Sequence, residues 1–300
     1  MQNDAVVIGH FGLDIEVSLE DGEHRRIRAR RSSEPVVVGD RGRLSGRGVE
    51  VLARETVLAR RDARNRTRAI AANLDVLAVT IAGRPAAPRG YVDRVIVAAR
   101  AAHIEPFLVV NKCDQEDSAA LSEQMHDLFA ASDSTVPVFA VSAHTGAGID
   151  GIRSHLSGRR GAFVGTSGVG KSSLLNALVP GLDLEVGEIN RLTRLGRHVT
   201  TRSSLHVLPG GGELIDTPGF RDFVPVDLSP ADLAAHFPCF EDALQRGCRF
   251  RDCLHRDEPD CGVTEAVAGG EVDASRHEIY LGLLADLERV AERQARGARS

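Results

Sequence analysis

Of the 37 basic residues in this 300-residue chain, 35 are arginine and two, Lys112 and Lys171, are lysine. A chain that replaces lysine almost everywhere keeps it where a compact ammonium must meet phosphate or enter a tight loop, tasks a planar guanidinium cannot do. Lys171 stands in Gly165-Thr166-Ser167-Gly168-Val169-Gly170-Lys171-Ser172, followed by Ser173. That run fits GxxxxGK[ST]. Its glycines let successive backbone N–H groups turn inward as an anion nest, and the helix opening behind them adds its positive end. Lys171 would reach the β- and γ-phosphates, and the Ser172 hydroxyl would ligate Mg²⁺. A plain glycine turn before a helix would leave the lysine unexplained.

Lys112 stands in Asn111-Lys112-Cys113-Asp114, directly after an apolar run. The carboxylate of Asp114 can accept two hydrogen bonds from guanine N1 and N2, which adenine cannot return, so an ATPase or kinase reading is disfavoured. Asn111 and Lys112 would brace the base and the phosphate loop. Ser142-Ala143 could offer a backbone N–H to guanine O6, although an ordinary strand-end turn also explains that pair. Asp216-Thr-Pro-Gly219 follows Glu213-Leu214-Ile215. DxxG recurs by chance in a chain of this size, so its placement after a strand carries the reading: Asp216 would hold Mg²⁺ and the Gly219 N–H would meet the γ-phosphate. Thr200 and Thr201, between these motifs, could complete the Mg²⁺ shell. Phe220 occupies the place where many GTPases keep a water-orienting glutamine, which leaves His198 as the substitute; a polar loop histidine without a role is the alternative. Catalysis is thus expected of His198, Lys171 and Asp216.

Four of the five cysteines lie between Cys239 and Cys261. Cys248, Cys253, His255 and Cys261 make a plausible tetrahedral Zn²⁺ set, structural because four protein ligands leave no open position. A rival set uses Cys239 and drops His255; otherwise Cys239 is a small buried apolar group near Phe237 and Phe240.

These residues need elements to carry them. Residues 1–70 hold 14 arginines against 11 acidic residues and alternate with the strand period, broken at Gly22, Gly39, Gly42, Gly46 and Gly48. Short strands at that spacing predict a small antiparallel barrel; an OB-like barrel is one option, and it binds oligonucleotides on one face and two loops. Residues 71–224 alternate apolar strands (74–81, 106–110, 136–141, 161–164) with helix-period stretches such as 91–102. That rhythm predicts a parallel sheet with helices on both faces. Residues 225–300 form a small, mostly helical zinc-binding domain ending in an amphipathic helix near 278–296. The fold class is therefore α/β with three domains. NKxD and SA precede the phosphate loop and DTPG, the reverse of ordinary small GTPases. That is a circular permutation, tolerated because domain termini lie close together. It runs the γ-phosphate-sensing loop straight into the C-terminal domain.

Apolar residues at 42% and charged residues at 26% fit a soluble globular protein. No run nears the roughly 18 apolar residues of a membrane span, and the start lacks a signal peptide's pattern, so a cytoplasmic protein is expected. The net charge of −5 does not advertise a nucleic-acid partner. Arg25, Arg26, Arg28, Arg30 and Arg31 are the RNA-contact candidates, with solvated strand-face arginines as the alternative. Aromatic residues make up 4%, too few for a broad base-stacking platform, so binding should be phosphate-dominated.

The combination of these domains, with NKCD, GTSGVGKS, LPGGGELIDTPGFRDF and CRFRDCLH…C, resembles the ribosome small-subunit-dependent GTPase A family. The resemblance implies an OB-fold, a late role in small (30S) subunit maturation, GTP hydrolysis stimulated by that subunit and its rRNA, and release coupled to hydrolysis. It implies that His198 matches the family's proposed catalytic histidine, and Cys248, Cys253, His255 and Cys261 its zinc ligands. Val199 departs from the family's HTTT, which leaves the Mg²⁺-binding threonine open between Thr200 and Thr201. A GTP-gated RNA-binding checkpoint on another particle, with catalysis secondary, is the competing reading. The protein is expected to be a monomer with GTP or GDP and the small subunit as partners.

Overall fold

The computed structural model describes residues 4–29, 35–45, 48–61, 67–130, 136–182, 184, 203–216 and 228–297. The N-terminal alternation becomes a meander of β1 (Asp4–Phe11), β2 (Asp14–Leu19) and β3 (His24–Arg28). Residues Ala5, Val7, Ile15, Val17 and Leu19 point inward and form a small core with Val36. β4 (Arg41–Ser45) pairs with β1, and β5 (Gly48–Val51) pairs with β4. The order β5-β4-β1-β2-β3 is that of an OB barrel laid open.

The hairpin β6 (Val57–Arg61) and β7 (Thr67–Ala72) stands apart from this barrel. Its Leu58 and Ala71 join the core beneath the central sheet.

Central strands β8 (Val76–Ile81), β9 (Glu105–Val110), β10 (Val138–Ala140), β11 (Arg160–Gly165) and β13 (Glu213–Asp216) run parallel, in the order β10-β9-β8-β11-β13. Every residue of β8 and β11 is buried, as expected where helices cover both faces. On one face, α1 (Tyr91–Ala101) and α2 (Glu116–Ala130) pack Val95, Ile96, Ala99 and Phe129 against Leu77, Val79, Leu108 and Val164. On the other, α3 (Ile149–Leu156) and α4 (Lys171–Leu178) set Ile152, Leu156, Leu174 and Leu178 against Ala78, Phe107, Phe163 and Leu214.

Barrel and central sheet are fused. β12 (Ser203–Val207) is antiparallel to β13 on one side and to β1 on the other, through Gly9↔Ser204 and His10↔Ser203. A bulge between Val7 and Gly9 lets β1 leave β12 and continue along β4. The turn at Gly39 locks this junction: its carbonyl accepts from Asn73 Nδ2 and Arg160 Nη1, both at 2.9 Å. Gly39 has φ 92°, and a Cβ there would fall 2.1 Å from the Ala72 carbonyl oxygen. Only glycine fits such an approach.

The C-terminal part contains α5 (Leu233–His236), α6 (Glu241–Gln245), α7 (Gly262–Ala268) and the long α8 (Ala274–Gly297). Phe237, Phe240 and Tyr280 form its centre, with ring centroids 4.7–5.4 Å apart. Val97 of α1 is buried in this same core. Four ion pairs bind α1 and its entry to the C-terminal part: Arg89–Glu278, Asp93–Arg276, Arg94–Asp286 and Arg100–Glu241, at 2.6–3.1 Å. The C-terminal part, into which the γ-phosphate-sensing loop is expected to run, is thus tied to the central sheet through α1. No helix among the described residues is long and apolar enough to cross a membrane.

Candidate nucleotide site and metal centre

The nucleotide motifs stand where strands end, the place at which open α/β sheets put ligands. β11 runs into the phosphate loop and α4, β9 into Asn111–Asp114, β10 into Ser142-Ala143, and β13 ends on Asp216. Because β8, β9 and β11 are adjacent and in register, loops far apart in sequence meet.

Asn111 is the keystone. Its Nδ2 donates to the Val169 carbonyl at 2.9 Å, and its Oδ1 accepts from the Ala143 N–H at 3.1 Å. The side chain therefore ties the phosphate loop to the Ser142-Ala143 turn. Gly170 makes the fit possible. It sits at φ 95°, and a Cβ there would lie 2.3 Å from Asn111 Nδ2. Lys112, itself in the left-handed region at φ 64°, donates Nζ to the carbonyls of Arg84 and Gly168, both at 2.8 Å. Both side chains thus fasten to the phosphate loop. In the Ser142-Ala143 turn, the Ala143 N–H meets Asn111 and the Ser142 N–H meets the Ala147 carbonyl.

Asp114 accepts from the Ser142 hydroxyl at 2.6 Å. That hydrogen bond holds its carboxyl below the usual range, with smaller help from its own backbone N–H and from His144 and Lys112. An ionised carboxylate at a strand end is what two-point recognition of guanine requires.

Gly165 abuts Thr80, whose carbonyl oxygen would be 2.5 Å from an added Cβ. Residues 166–170 then turn through Gly168 and Gly170, both at positive φ, before α4 begins. Lys171 Nζ lies over this turn, donating to the carbonyls of Gly165 at 2.7 Å and Thr166 at 3.0 Å. Ser167 is exposed at the loop's tip, and Ser172 and Ser173 stand in the first turn of α4. Thr80 and Thr166 each bury a hydroxyl oxygen with no protein partner.

Asp216 is pushed up in pKa by burial, which the nearby charges of His206 and Lys171 oppose. The half-buried Asp216 carboxylate and the Ser172 hydroxyl are hard oxygen donors, a set that suits Mg²⁺. His206, on β12, was not singled out by the motifs. No signal in the sequence marks it, since its nearness to Asp216 comes from the pairing of β12 with β13, where His206 lies opposite Leu214. The loop 82–90 also escaped the sequence reading, yet Pro85 packs on Gly168 and Arg84 receives Lys112. His198, Thr200, Thr201 and Gly219 lie outside the described residues, as do Arg30 and Arg31.

The cysteine cluster forms a second centre. Ligand atoms of Cys248, Cys253, His255 and Cys261 all lie within 4.8 Å of one another. His255 Nδ1 is 3.5, 3.6 and 3.3 Å from the sulfurs of Cys248, Cys253 and Cys261, and Cys248 Sγ is 3.9 Å from Cys261 Sγ. A tetrahedral ion with Zn–S about 2.3 Å and Zn–N about 2.0 Å has edges of roughly 3.5 and 3.8 Å, so the set fits zinc. Burial pushes the Cys253 thiol up to about 12. A cation among the sulfurs is what would hold it as thiolate near neutrality. Outer contacts fix the ligands: His277 Nε2 donates to the His255 carbonyl at 2.7 Å, and Glu258 accepts from the N–H groups of Leu254 and Arg256. The rival set is not assembled. Cys239 Sγ instead approaches the Leu128 carbonyl at 3.8 Å, packed against the core under α2.

Comparison with known proteins agrees with this geometry. The family model described as RsgA GTPase matches residues 51–224. A protein of Pseudomonas fluorescens (strain Pf0-1) called "Small ribosomal subunit biogenesis GTPase RsgA" is 39% identical over 292 residues, 94% of this chain and 85% of that protein. A protein of the same name from Azotobacter vinelandii is 40% identical over 301 residues, covering 95% and 86%. The crystal structure of YjeQ from Thermotoga maritima superposes with a TM-score of 0.77 at 30% identity, over 96% of this chain and 99% of that one. YloQ, described as a circularly permuted GTPase, shares the fold with a TM-score of 0.72 at 21% identity, over 96% of each chain. A permuted set of nucleotide loops on a parallel sheet, an open barrel before it and a Cys₃His cluster after it thus coincide with full-length similarity, and the chain belongs to the RsgA GTPase family.

Proposed function

We propose that this protein is a Mg²⁺-dependent GTP hydrolase that acts late in maturation of the small (30S) ribosomal subunit, binds its rRNA, and leaves the particle when GTP is hydrolysed. The observation that carries the nucleotide reading is the lattice through Asn111 and Lys112, which fastens the guanine-reading turn to the phosphate loop. The small-subunit reading rests on the relatives named above.

In this reading Asn111, Lys112, Asp114, Ser142 and Ala143 receive guanine. Residues 165–170 present their N–H groups to the phosphates, with Lys171, Ser172, Ser173 and Gly219 completing that grip. Lys171 neutralises charge that spreads over the transferring phosphoryl oxygens, and His198 orients the attacking water. Ser172, Asp216 and one of Thr200 and Thr201 would hold Mg²⁺, which when bound would supply positive charge to offset the negative charge developing on the phosphates. One zinc per chain, on Cys248, Cys253, His255 and Cys261, would be structural. Residues 1–70, 71–224 and 225–300 serve as RNA-binding barrel, GTPase and zinc domain of a cytoplasmic monomer.

Arg25, Arg26 and Arg28 face solvent on β3 and would meet rRNA phosphates. Arg25 pairs with Glu23, and Arg26 lies 3.4 Å from Asp14 and stacks over Phe11. Phosphate contacts of this kind release the counterions condensed on RNA, so binding should weaken steeply with salt.

GTP turnover at fixed Mg²⁺, with small subunits, large subunits or neither, tests the proposal. Stimulation by small subunits alone is expected. Equal rates in all three would keep the GTPase and remove the small-subunit partner. A His198→Ala variant that binds with GTP but fails to leave would show that hydrolysis drives release; normal release would favour the checkpoint reading.

A further inference from the structure

We infer that Ser118, in the first turn of α2, is a positioning residue for nucleotide binding that acts on Lys112 through the Gly83-Arg84-Pro85 turn. This role rests on the reading of Asn111–Asp114 as the guanine-binding turn.

The chain leaves β8 and β9 side by side. The Asn111 N–H donates to the Ile81 carbonyl at 2.9 Å, the last rung between the two strands. Beyond it, one segment turns through 82–85 while the other passes Lys112 and enters α2. They meet again at Ser118, which is fully buried. The Gly83 N–H donates to Ser118 Oγ at 2.9 Å. Only glycine allows that approach, since a Cβ on Gly83 would lie 2.6 Å from the Asp117 carbonyl carbon and 2.8 Å from the Ser118 nitrogen. The next carbonyl along the turn, that of Arg84, accepts from Lys112 Nζ at 2.8 Å. The same ammonium donates to Gly168 of the phosphate loop at 2.8 Å. Pro85 then bears on Gly168, where a Cβ would lie 3.3 Å from the proline ring. One hydroxyl on α2 therefore fixes the amide that precedes the carbonyl holding Lys112.

Magnitudes single out Ser118 among the contacts on this turn. Arg84 Nε also meets Asp117 Oδ2 at 2.8 Å, but the two side chains are 86% and 35% exposed, and pairs in water contribute little. Removing the Ser118 hydroxyl instead strands a half-buried N–H, which is the larger loss. With the turn loosened, Lys112 keeps Gly168 but no longer ties the phosphate loop to the end of β8.

The test reads fluorescent GDP affinity at fixed Mg²⁺ in the full chain, with the melting temperature alongside. Ser118→Ala is expected to weaken GDP binding about three- to tenfold, the worth of one net hydrogen bond. Ser118→Thr, which keeps the hydroxyl, should restore most of it, and Asp117→Ala should stay within about twofold of the native affinity. Lys112→Met separates positioning from general support. In that background Ser118→Ala should cost no further affinity, because the residue it acts through is gone. If the two losses add, or if Ser118→Ala lowers the melting temperature and leaves GDP affinity native, the positioning role is refuted. Asp114→Ala checks the reading beneath it. If that variant binds GDP as the native protein does, the guanine-binding turn is misassigned and Ser118 falls with it. If Asp114→Ala loses GDP while Ser118→Ala keeps it, the guanine reading stands and the role of Ser118 alone fails.

Discussion

Ser142 gives Asp114 a hydroxyl donor at 2.6 Å, and that contact keeps the carboxyl below its ordinary pKa. A carboxyl held low stays ionised as pH falls through the usual range near about 3.9 and gains its proton only below it. Guanine affinity that depends on this charge should therefore stay flat on acidification to the ordinary aspartate range and fall only beyond it. Ser142→Ala should move the acid limb of GDP binding to higher pH, measured by fluorescent GDP titration from about pH 6 down through the ordinary aspartate range to about pH 3. An unchanged limb would show that Ser142 does not set the charge. Gly170 is the second residue on which the site turns. Gly170→Ala adds a Cβ against Asn111 Nδ2 at φ 95°, so Asn111 must give up Val169 or Ala143. A cost of about 1–3 kcal/mol in stability is expected for that backbone strain, together with at least a tenfold loss of GDP affinity, read by thermal melting and calorimetry. The nucleotide residues were legible in the sequence because each motif is a short continuous run with its own chemistry. His206 was not, because its meaning comes only from the register of a hairpin.

At the scale of elements, α1 separates what spacing can reveal from what it cannot. The apolar stripe of Val92, Val95, Ile96 and Ala99 predicts the helix, and Tyr91–Ala101 is helical. Its charged residues read as a solvated face until their partners are known, and those partners lie more than 130 residues away. Asp93 and Arg276 are 5% and 7% exposed in their side chains, and Arg276 also donates to the Pro238 carbonyl and stacks on Phe237. Burial works against the Asp93 charge and raises its pKa, while Arg276 opposes that. Such a pair is costly to break by halves because the survivor is left buried and uncompensated. Asp93→Ala should destabilise by about 3–5 kcal/mol, and Asp93→Leu with Arg276→Met should recover much of it. Urea unfolding of the three proteins checks this; equal losses in the single and double variants would mean that packing, not charge, sets the cost. The fusion of β1 to β12 was equally hidden, since the strands are far apart in sequence and joined by few pairs.

Across the whole molecule, three parts hang on one sheet and one helix. The barrel is hydrogen-bonded to the strand that follows the expected Mg²⁺-loop threonines, whereas the C-terminal part is held by α1 on the far side of the core. That C-terminal part cannot depend on its helices alone. α5, α6 and α7 span four, five and seven residues, well under the length at which a helix holds itself in water. Its aromatic centre touches the cluster through Tyr280, whose hydroxyl donates to the Leu254 carbonyl beside His255. A structural zinc in such a site supplies on the order of 10–16 kcal/mol, so chelation should melt this part first. Thiol labelling reads the result: with a strong chelator, Cys248, Cys253 and Cys261 should become reactive. Cys113, which lies beside Asp114 in the nucleotide site, should stay protected when GDP is bound. GDP affinity should largely survive, because Asn111, Asp114 and the phosphate loop rest on β8, β9 and β11, not on the core beside the cysteine cluster. Loss of GDP binding in step with thiol exposure would instead mean that α1 transmits the collapse into the central sheet, making the zinc cluster a support of the nucleotide site as well as of its own domain.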